Sequence, residues 1–161
     1  MSGRDRPEEA REHLERAYEA HMAGRLDEAV EGYRRSIAVS PSAEAHTFLG
    51  WALAHQGRCE DAIAECRRAI AVDPTFGNPY NDIGAYLIEL GREEEAVEWF
   101  ERAKTAPRYE PRHYPYLNLA RVFARQHKVR EAIAELRSVI ALEPGHAEAR
   151  QELHRLVGML N

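Results

Sequence analysis

Cysteine is scarce in this chain, two residues in 161. That is too few to staple a fold of this length, so a reducing compartment is expected. Apolar runs are short as well. No segment approaches the ~18 consecutive apolar residues of a membrane-spanning helix, and the opening stretch MSGRDRPEEAREH has no apolar region of the kind a secretory leader needs. Positive charge is not in excess: 22 Lys and Arg stand against 27 Asp and Glu, a net charge of −5. Nothing would offset phosphate repulsion over a broad surface, so nucleic acid is not an expected partner. Catalytic signatures are missing too. The sequence has no glycine-rich phosphate loop, no HExxH helix and no G-x-S-x-G elbow. Nor does any useful length alternate apolar and polar residues in the manner of a strand. These absences lead to the expectation of a cytoplasmic, all-α, non-enzymatic protein without cofactor or metal.

What the chain does have is internal repetition. Four segments align: GRLDEAVEGYRRSIAVSP from Gly24, GRCEDAIAECRRAIAVDP from Gly57, GREEEAVEWFERAKTAP from Gly91 and HKVREAIAELRSVIALEP from His127. Their alanines at 29, 62, 96 and 132 are 33, 34 and 36 residues apart. The segment before each is also periodic, with Leu49, Gly50 and Leu53 answered by Ile83, Gly84 and Leu87, then by Leu119, Ala120 and Phe123. Apolar spacings of three and four, as in Ile63, Cys66, Ala69 and Ile70, predict helices. Pro41, Pro74 and Pro144 stop the second helix of a unit.

The pattern resembles the tetratricopeptide repeat family, a 34-residue helix–turn–helix unit with small residues at set positions. The resemblance covers about residues 10 to 146. It implies a right-handed α-solenoid of four repeats, at 10–42, 43–76, 77–110 and 113–146, with a capping helix at 147–160. The whole forms one domain over 8–161, and residues 1–7 are expected to be a disordered tail. The second copy fits best. In the first, His13 and Arg16 replace large apolar residues, and in the fourth His127 stands where glycine is usual. Small residues at Ala17, Gly50, Gly84 and Ala120 are expected to face Ala29, Ala62, Ala96 and Ala132 at close helix contacts.

Chemistry-bearing residues weigh little outside that frame. Cys59 and Cys66 are seven apart on one helix, ~10.5 Å along its axis, too far for a disulfide or for joint zinc ligation. His46 and His55 fail likewise. Cys66 takes the position of Tyr33, Phe100 and Leu136, a buried slot that suits a free thiol.

The resemblance also implies a working surface, the concave groove lined by the first helices, which holds a peptide or helix of a partner protein. Its candidate residues are Tyr18, His21, Trp51, His55, Asn81, Asp82, Tyr114, Asn118, Arg121 and Arg125. Leu14, Met22, Thr47, Phe48, Asn78, Ala85, Glu89, Leu117 and Arg155 continue the same surface. Tyr18 and Trp51 suit anchoring, unless they pack on the next helix. Asn81 and Asn118 suit an extended backbone. Arg121, Arg125 and Arg155 favour an acidic or carboxylate-bearing partner, the alternative being pairing with Glu148 and Glu152. Asn78 before Pro79 reads as a helix N-cap. Leu14, Tyr18 and Phe48 do not match the carboxylate clamp of the family's chaperone-binding members. The irregular stretch KTAPRYEPRHYPY, residues 104–116, reads as an inter-repeat loop whose basic aromatic cluster could also meet a partner. An assembly subunit, self-associating or docking through the terminal helix or this loop, is the alternative function.

Overall fold

The computed structural model describes residues 5–161. Among the described residues nine helices follow one another: α1 Arg6–Met22, α2 Leu26–Val39, α3 Ala43–His55, α4 Cys59–Val72, α5 Asn78–Glu89, α6 Glu93–Thr105, α7 Tyr114–Arg125, α8 Val129–Leu142 and α9 Ala147–Gly158. No β-strand occurs among the described residues. Consecutive helices pair as antiparallel hairpins, and the hairpins stack. The odd-numbered helices α1, α3, α5 and α7 also touch one another, which makes them the inner layer of an all-α solenoid.

The turn inside each hairpin is written in the sequence. Gly24, Gly57 and Gly91 hold φ of 79°, 79° and 75°, the left-handed conformation that closes a helix end. The following amide then bonds back five residues, as in Arg58 N–H to the Leu53 carbonyl at 2.9 Å. His127 adopts φ 59° and forms the same turn without glycine. Each second helix opens on a basic residue, and in the first three Arg25, Arg58 and Arg92 reach Glu28, Asp61 and Glu95 three residues on. Those carboxylates also complement the helix dipole.

Packing follows the small residues. Ala29, Ala62, Ala96 and Ala132 are completely buried, and Tyr33, Cys66, Phe100 and Leu136 fill the slot one turn later. A Cβ on Gly50 would lie 3.1 Å from the Ala62 carbonyl and 3.2 Å from the Cys66 sulfur. At Gly84 the added atom would strike the Phe100 ring, 2.7 Å from Cδ1 and Cζ. In the first repeat the close approach is between Ala17 and Gly32, whose Cβ would fall 2.7 Å from that of Ala17. Gly32 was not among the expected contact positions.

Two local expectations are corrected. Arg6 and Pro7 belong to α1 rather than to a tail, because proline suits the first helical turn. The Arg6 guanidinium also donates to the Val39 carbonyl at 2.8 and 3.1 Å, tying the start of the first repeat to its end. Asp5 stands at the N-cap, its carbonyl accepting from Glu9 N–H at 3.0 Å; residues 1–4 of the expected tail lie outside the described residues. Asn78 is the first residue of α5 and not its cap; Gly77 precedes it, and the Gly77 carbonyl accepts from Tyr80 N–H at 3.1 Å. Gly77 is wedged beneath Tyr109, where a Cβ would meet Tyr109 Cβ at 2.5 Å.

That wedge anchors the 104–116 segment. Arg108 N–H donates to the Thr75 carbonyl, and Gly77 N–H to the Arg108 carbonyl, both at 3.0 Å. Tyr109 is buried, and Arg108 spans Glu44 and Asp73 at 2.9 and 2.8 Å. The segment is thus stitched to the turn before α5. At the other end, α9 packs Ala149, Leu153 and Leu156 on α8, leaving Val157 and Leu160 exposed.

Candidate functional site: the inner helical layer

Aromatic rings and histidines gather where α1 meets α3. Tyr18 packs edge-on to Phe48 at 5.6 Å, and Phe48 stacks on the buried Tyr33 at 5.8 Å. Trp51, half-buried, leans on His21 at 4.2 Å and on His55 at 5.1 Å. Trp51 is therefore partly a packing residue against its neighbour helix, whereas Tyr18 keeps 42% of its surface exposed.

A hydrogen-bonded relay runs through the same cluster. His21 Nδ1 lies 3.1 Å from the Tyr33 hydroxyl, and His21 Nε2 lies 2.8 Å from His55 Nδ1. Both bonds are satisfied when Tyr33 donates to Nδ1 and His21 Nε2–H donates to His55. Burial, and secondarily the nearby His55, holds the His21 pKa below its ordinary 6.5. Burial raises that of Tyr33, so the phenol stays protonated. His55 ends the relay at the surface. The sequence placed both histidines in the groove; that they bond each other was not foreseen.

Further along, Asn118 Nδ2 donates to Asn81 Oδ1 at 3.0 Å, bridging α7 and α5. Each asparagine therefore spends part of its bonding capacity on the other. Arg121 extends the chain, lying 3.4 Å from Asn118 Oδ1 and 2.6 Å from Glu148 of α9. Arg125 pairs with Glu93 at 2.7 Å and Arg155 with Glu152 at 2.5 Å. The expected basic end of the groove is thus a set of neutralised pairs. The partners Glu148 and Glu152 are those the alternative reading named; Glu93 is not. These arginines border a cavity of about 570 Å³ floored by Leu117, Ala120 and Leu136. Tyr114 is 46% exposed, its ring 4.5 Å from that of His113.

Asp82 differs from its neighbours. It is half-buried on α5, and desolvation raises its carboxyl from the ordinary 3.8 to about 7. Among the described residues it makes neither a hydrogen bond nor an ion pair.

The cysteines offer no reactive centre. Burial pushes the Cys66 thiol well up, helped by Asp82 and Glu65, and burial also raises Cys59. Neither is a ready thiolate. Across the hairpin His46 bonds Glu65 at 2.8 Å. Burial acts to raise the Glu65 pKa, yet bonds from His46 and Arg68 outweigh it and the carboxyl is lowered overall. No group of three or more His, Cys, Asp or Glu is arranged to hold a metal among the described residues. No described helix is long and apolar enough to cross a membrane.

Comparison with known proteins agrees with this architecture. The tetratricopeptide repeat profile matches residues 22–75 and 117–153, and a second profile of the same repeat matches residues 78–108. A search of curated proteins finds no match. Among solved structures, Pseudomonas aeruginosa PilF superposes with a TM-score of 0.86 at 24% identity, over 95% of this chain and 70% of that one. PilW, described as a widely conserved type IV pilus biogenesis factor, gives 0.81 at 21% identity over 93% and 69% of the two chains. MamA gives 0.74 at 20% identity over 91% and 80%. At these identities the likeness is one of fold. With the repeat profile covering more than half of the sequence, the chain belongs to the tetratricopeptide repeat family.

Proposed function

We propose that this protein is a non-enzymatic adaptor that holds an extended or helical segment of a partner protein along its inner layer. A tetratricopeptide array is an interaction module; which surface works, and on what, is the proposal. The observation that carries it is the exposure of large aromatic side chains on that layer, Tyr18 at 42% and Tyr114 at 46%, with half-buried Trp51 between them. Folding alone gains nothing from leaving such rings in water, whereas a partner's side chains gain by covering them. A cytoplasmic site of action belongs to the same reading and is supported by two unpaired cysteines; fractionation of the source cell tests it.

The direct test is crosslinking of the captured partner, read by mass spectrometry. Crosslinks are expected on α1, α3, α5 and α7, with loss of capture on Tyr18→Ala plus Trp51→Ala. Crosslinks confined to the even-numbered helices would refute the groove. Crosslinks confined to α9 would favour the assembly alternative, which draws on the exposed Val157, Met159 and Leu160. The 104–116 segment adds little to that alternative, since Tyr109 is buried and Arg108 is committed to Glu44 and Asp73.

A further inference from the structure

Between α3 and α5 the inner layer carries a small pocket of about 210 Å³. Glu44, Thr47, Phe48 and Trp51 form one wall; Phe76, Asn78 and Asp82 form the other. Three properties of this pocket point the same way. Its walls are aromatic, with indole and phenyl faces that attract a cation. Its polar wall is rich in acceptors: the Thr47 hydroxyl already donates to the Ala43 carbonyl at 2.7 Å, which leaves its lone pairs, the Asp82 carboxylate accepts, and the Asn78 amide offers an acceptor beside its donors. And it contains a carboxylate with no cation of its own. The nearby Arg108 is held by Glu44 and Asp73 and lies over Phe76, 4.4 Å from the ring centroid.

A carboxylate in such a cleft is stable as an anion only when a positive charge joins it. The C-terminal end of the layer shows the contrast, because there Arg121, Arg125 and Arg155 each have a carboxylate already. An incoming anion would have to displace one of those. An incoming cation meets an unoccupied partner at Asp82.

We propose that the Thr47–Trp51–Asp82 pocket receives a lysine or arginine side chain of the bound segment, with the charged head on Asp82 and the aliphatic stem along Phe48 and Trp51. This specifies the partner's chemistry and rests on the groove reading above. The partner is therefore basic at the point that meets α3 and α5, the opposite of the acidic character that the arginines suggested from sequence. Raising the carboxyl's pKa, as burial does here, makes binding release a proton near neutrality.

The test uses three blocked tripeptides, N-acetyl-Gly-X-Gly-amide with X lysine, arginine or the uncharged isostere norleucine, titrated into the ¹⁵N-labelled full chain. The Trp51 indole N–H is assigned with Trp51→Phe. The lysine and arginine probes are expected to shift that resonance and the amides of residues 47–51 and 78–82. They should bind at least about fivefold more tightly than norleucine. Asp82→Asn, whose spectrum also reports its folding, should abolish the preference, and Arg137→Ala, on the exposed face of α8, should leave it unchanged. Equal affinity for norleucine at these resonances, or a lysine preference that survives Asp82→Asn, overturns the basic-residue proposal while the groove reading stands. Absence of shifts at these positions up to about 10 mM probe also overturns it. The groove reading is then decided by the crosslinks alone.

Discussion

Asp82→Asn is expected to stabilise the free protein, and only where the aspartate is ionised. The unfolded chain releases the Asp82 proton near the ordinary 3.8, whereas the folded chain keeps it until about 7. Between those values the folded state binds more protons, so its stability falls as pH rises and the loss is complete above about 7. A displacement of roughly three units corresponds to on the order of 4 kcal/mol. Water reaching the half-buried side chain lowers the realised figure to about 1–3 kcal/mol. Asparagine keeps the shape and does not titrate. The two proteins should therefore be equally stable at about pH 4, diverge through pH 4–7, and differ by a constant amount at about pH 8. With a urea m-value of about 2 kcal/mol/M, the midpoint gap at pH 8 is about 0.5–1.5 M. Urea unfolding followed by circular dichroism at four pH values measures it. Taking the difference between the variants cancels the other titrating groups. A gap independent of pH, or a variant less stable than the parent at pH 8, would refute the claim that an unpaired charge is held there.

Three further outcomes follow from the packing and the buried pairs. Gly84→Ala should lower stability by about 1 kcal/mol or more, because overpacking against Phe100 exceeds the ~1 kcal/mol that alanine gains in an ordinary helix. The fall in Tm is about 2–4 °C, and the sign should reverse in a Phe100→Leu background; a higher Tm for Gly84→Ala alone contradicts the contact. Lys104→Met should cost about 1–3 kcal/mol at neutral pH, since it strips the 2.9 Å partner from half-buried Glu135, whose Oε2 already lacks a hydrogen bond. Burial raises the Glu135 pKa, so that loss should shrink in denaturation series run at acidic pH; a pH-independent loss points to packing instead. His21 should titrate below 6.5 in ¹H–¹⁵N spectra because burial keeps it neutral. Its contribution to stability is therefore fully present above pH 6.5 and is lost below it, as pH falls through the lower pKa of the folded state. A midpoint at or above 6.5 would contradict the buried relay.

The repeat was legible because its determinants are local and recur. Ala29, Ala62, Ala96 and Ala132 hold one steric role at a fixed spacing, and the glycine turns before them hold one backbone role. Even His127 could be aligned as a departure, and its φ of 59° shows the turn imposed on a residue that does not favour it. The candidate groove residues from Tyr18 to Arg125 lie on α1, α3, α5 and α7. What the resemblance could not give was how they pair. The Asn118–Asn81 bond joins positions 37 apart, and Arg125–Glu93 joins positions 32 apart. Both depend on which rotamers meet across neighbouring helices, information that no single repeat carries. The same holds for Tyr109 on Gly77, a contact between two inter-repeat segments. Basic composition in a column suggests an acidic partner or pairing with Glu148 and Glu152, and the fold supplies those pairs and Glu93 besides.

The distribution of polar groups gives the inner layer its meaning. A helical hairpin stack can be completed with alanine, leucine and aromatic residues alone, as the slots at Tyr33, Cys66, Phe100 and Leu136 illustrate. Among the described residues, however, the buried polar side chains His21, His46, Thr47 and Asn81 lie on first helices of repeats, and Ser36 lies on a second helix. All of these are satisfied internally: His21 by Tyr33 and His55, His46 by Glu65, Thr47 by Ala43, Asn81 by Asn118, and Ser36 by the Ala10 carbonyl. Asp82 sits among them without a partner, on the same layer and beside Trp51 in one pocket. A group that destabilises the free fold and has no structural role to offset that loss is characteristic of a binding position, where stability is given up for function. The pH dependence of Asp82→Asn and its effect on lysine-peptide binding therefore test one idea from two sides. If the variant is more stable at pH 8 and also indifferent to the charge of its ligand, the carboxylate is held for recognition. If it is more stable and binds unchanged, the charge is an unrelated burden on the fold, and the pocket's aromatic walls act alone.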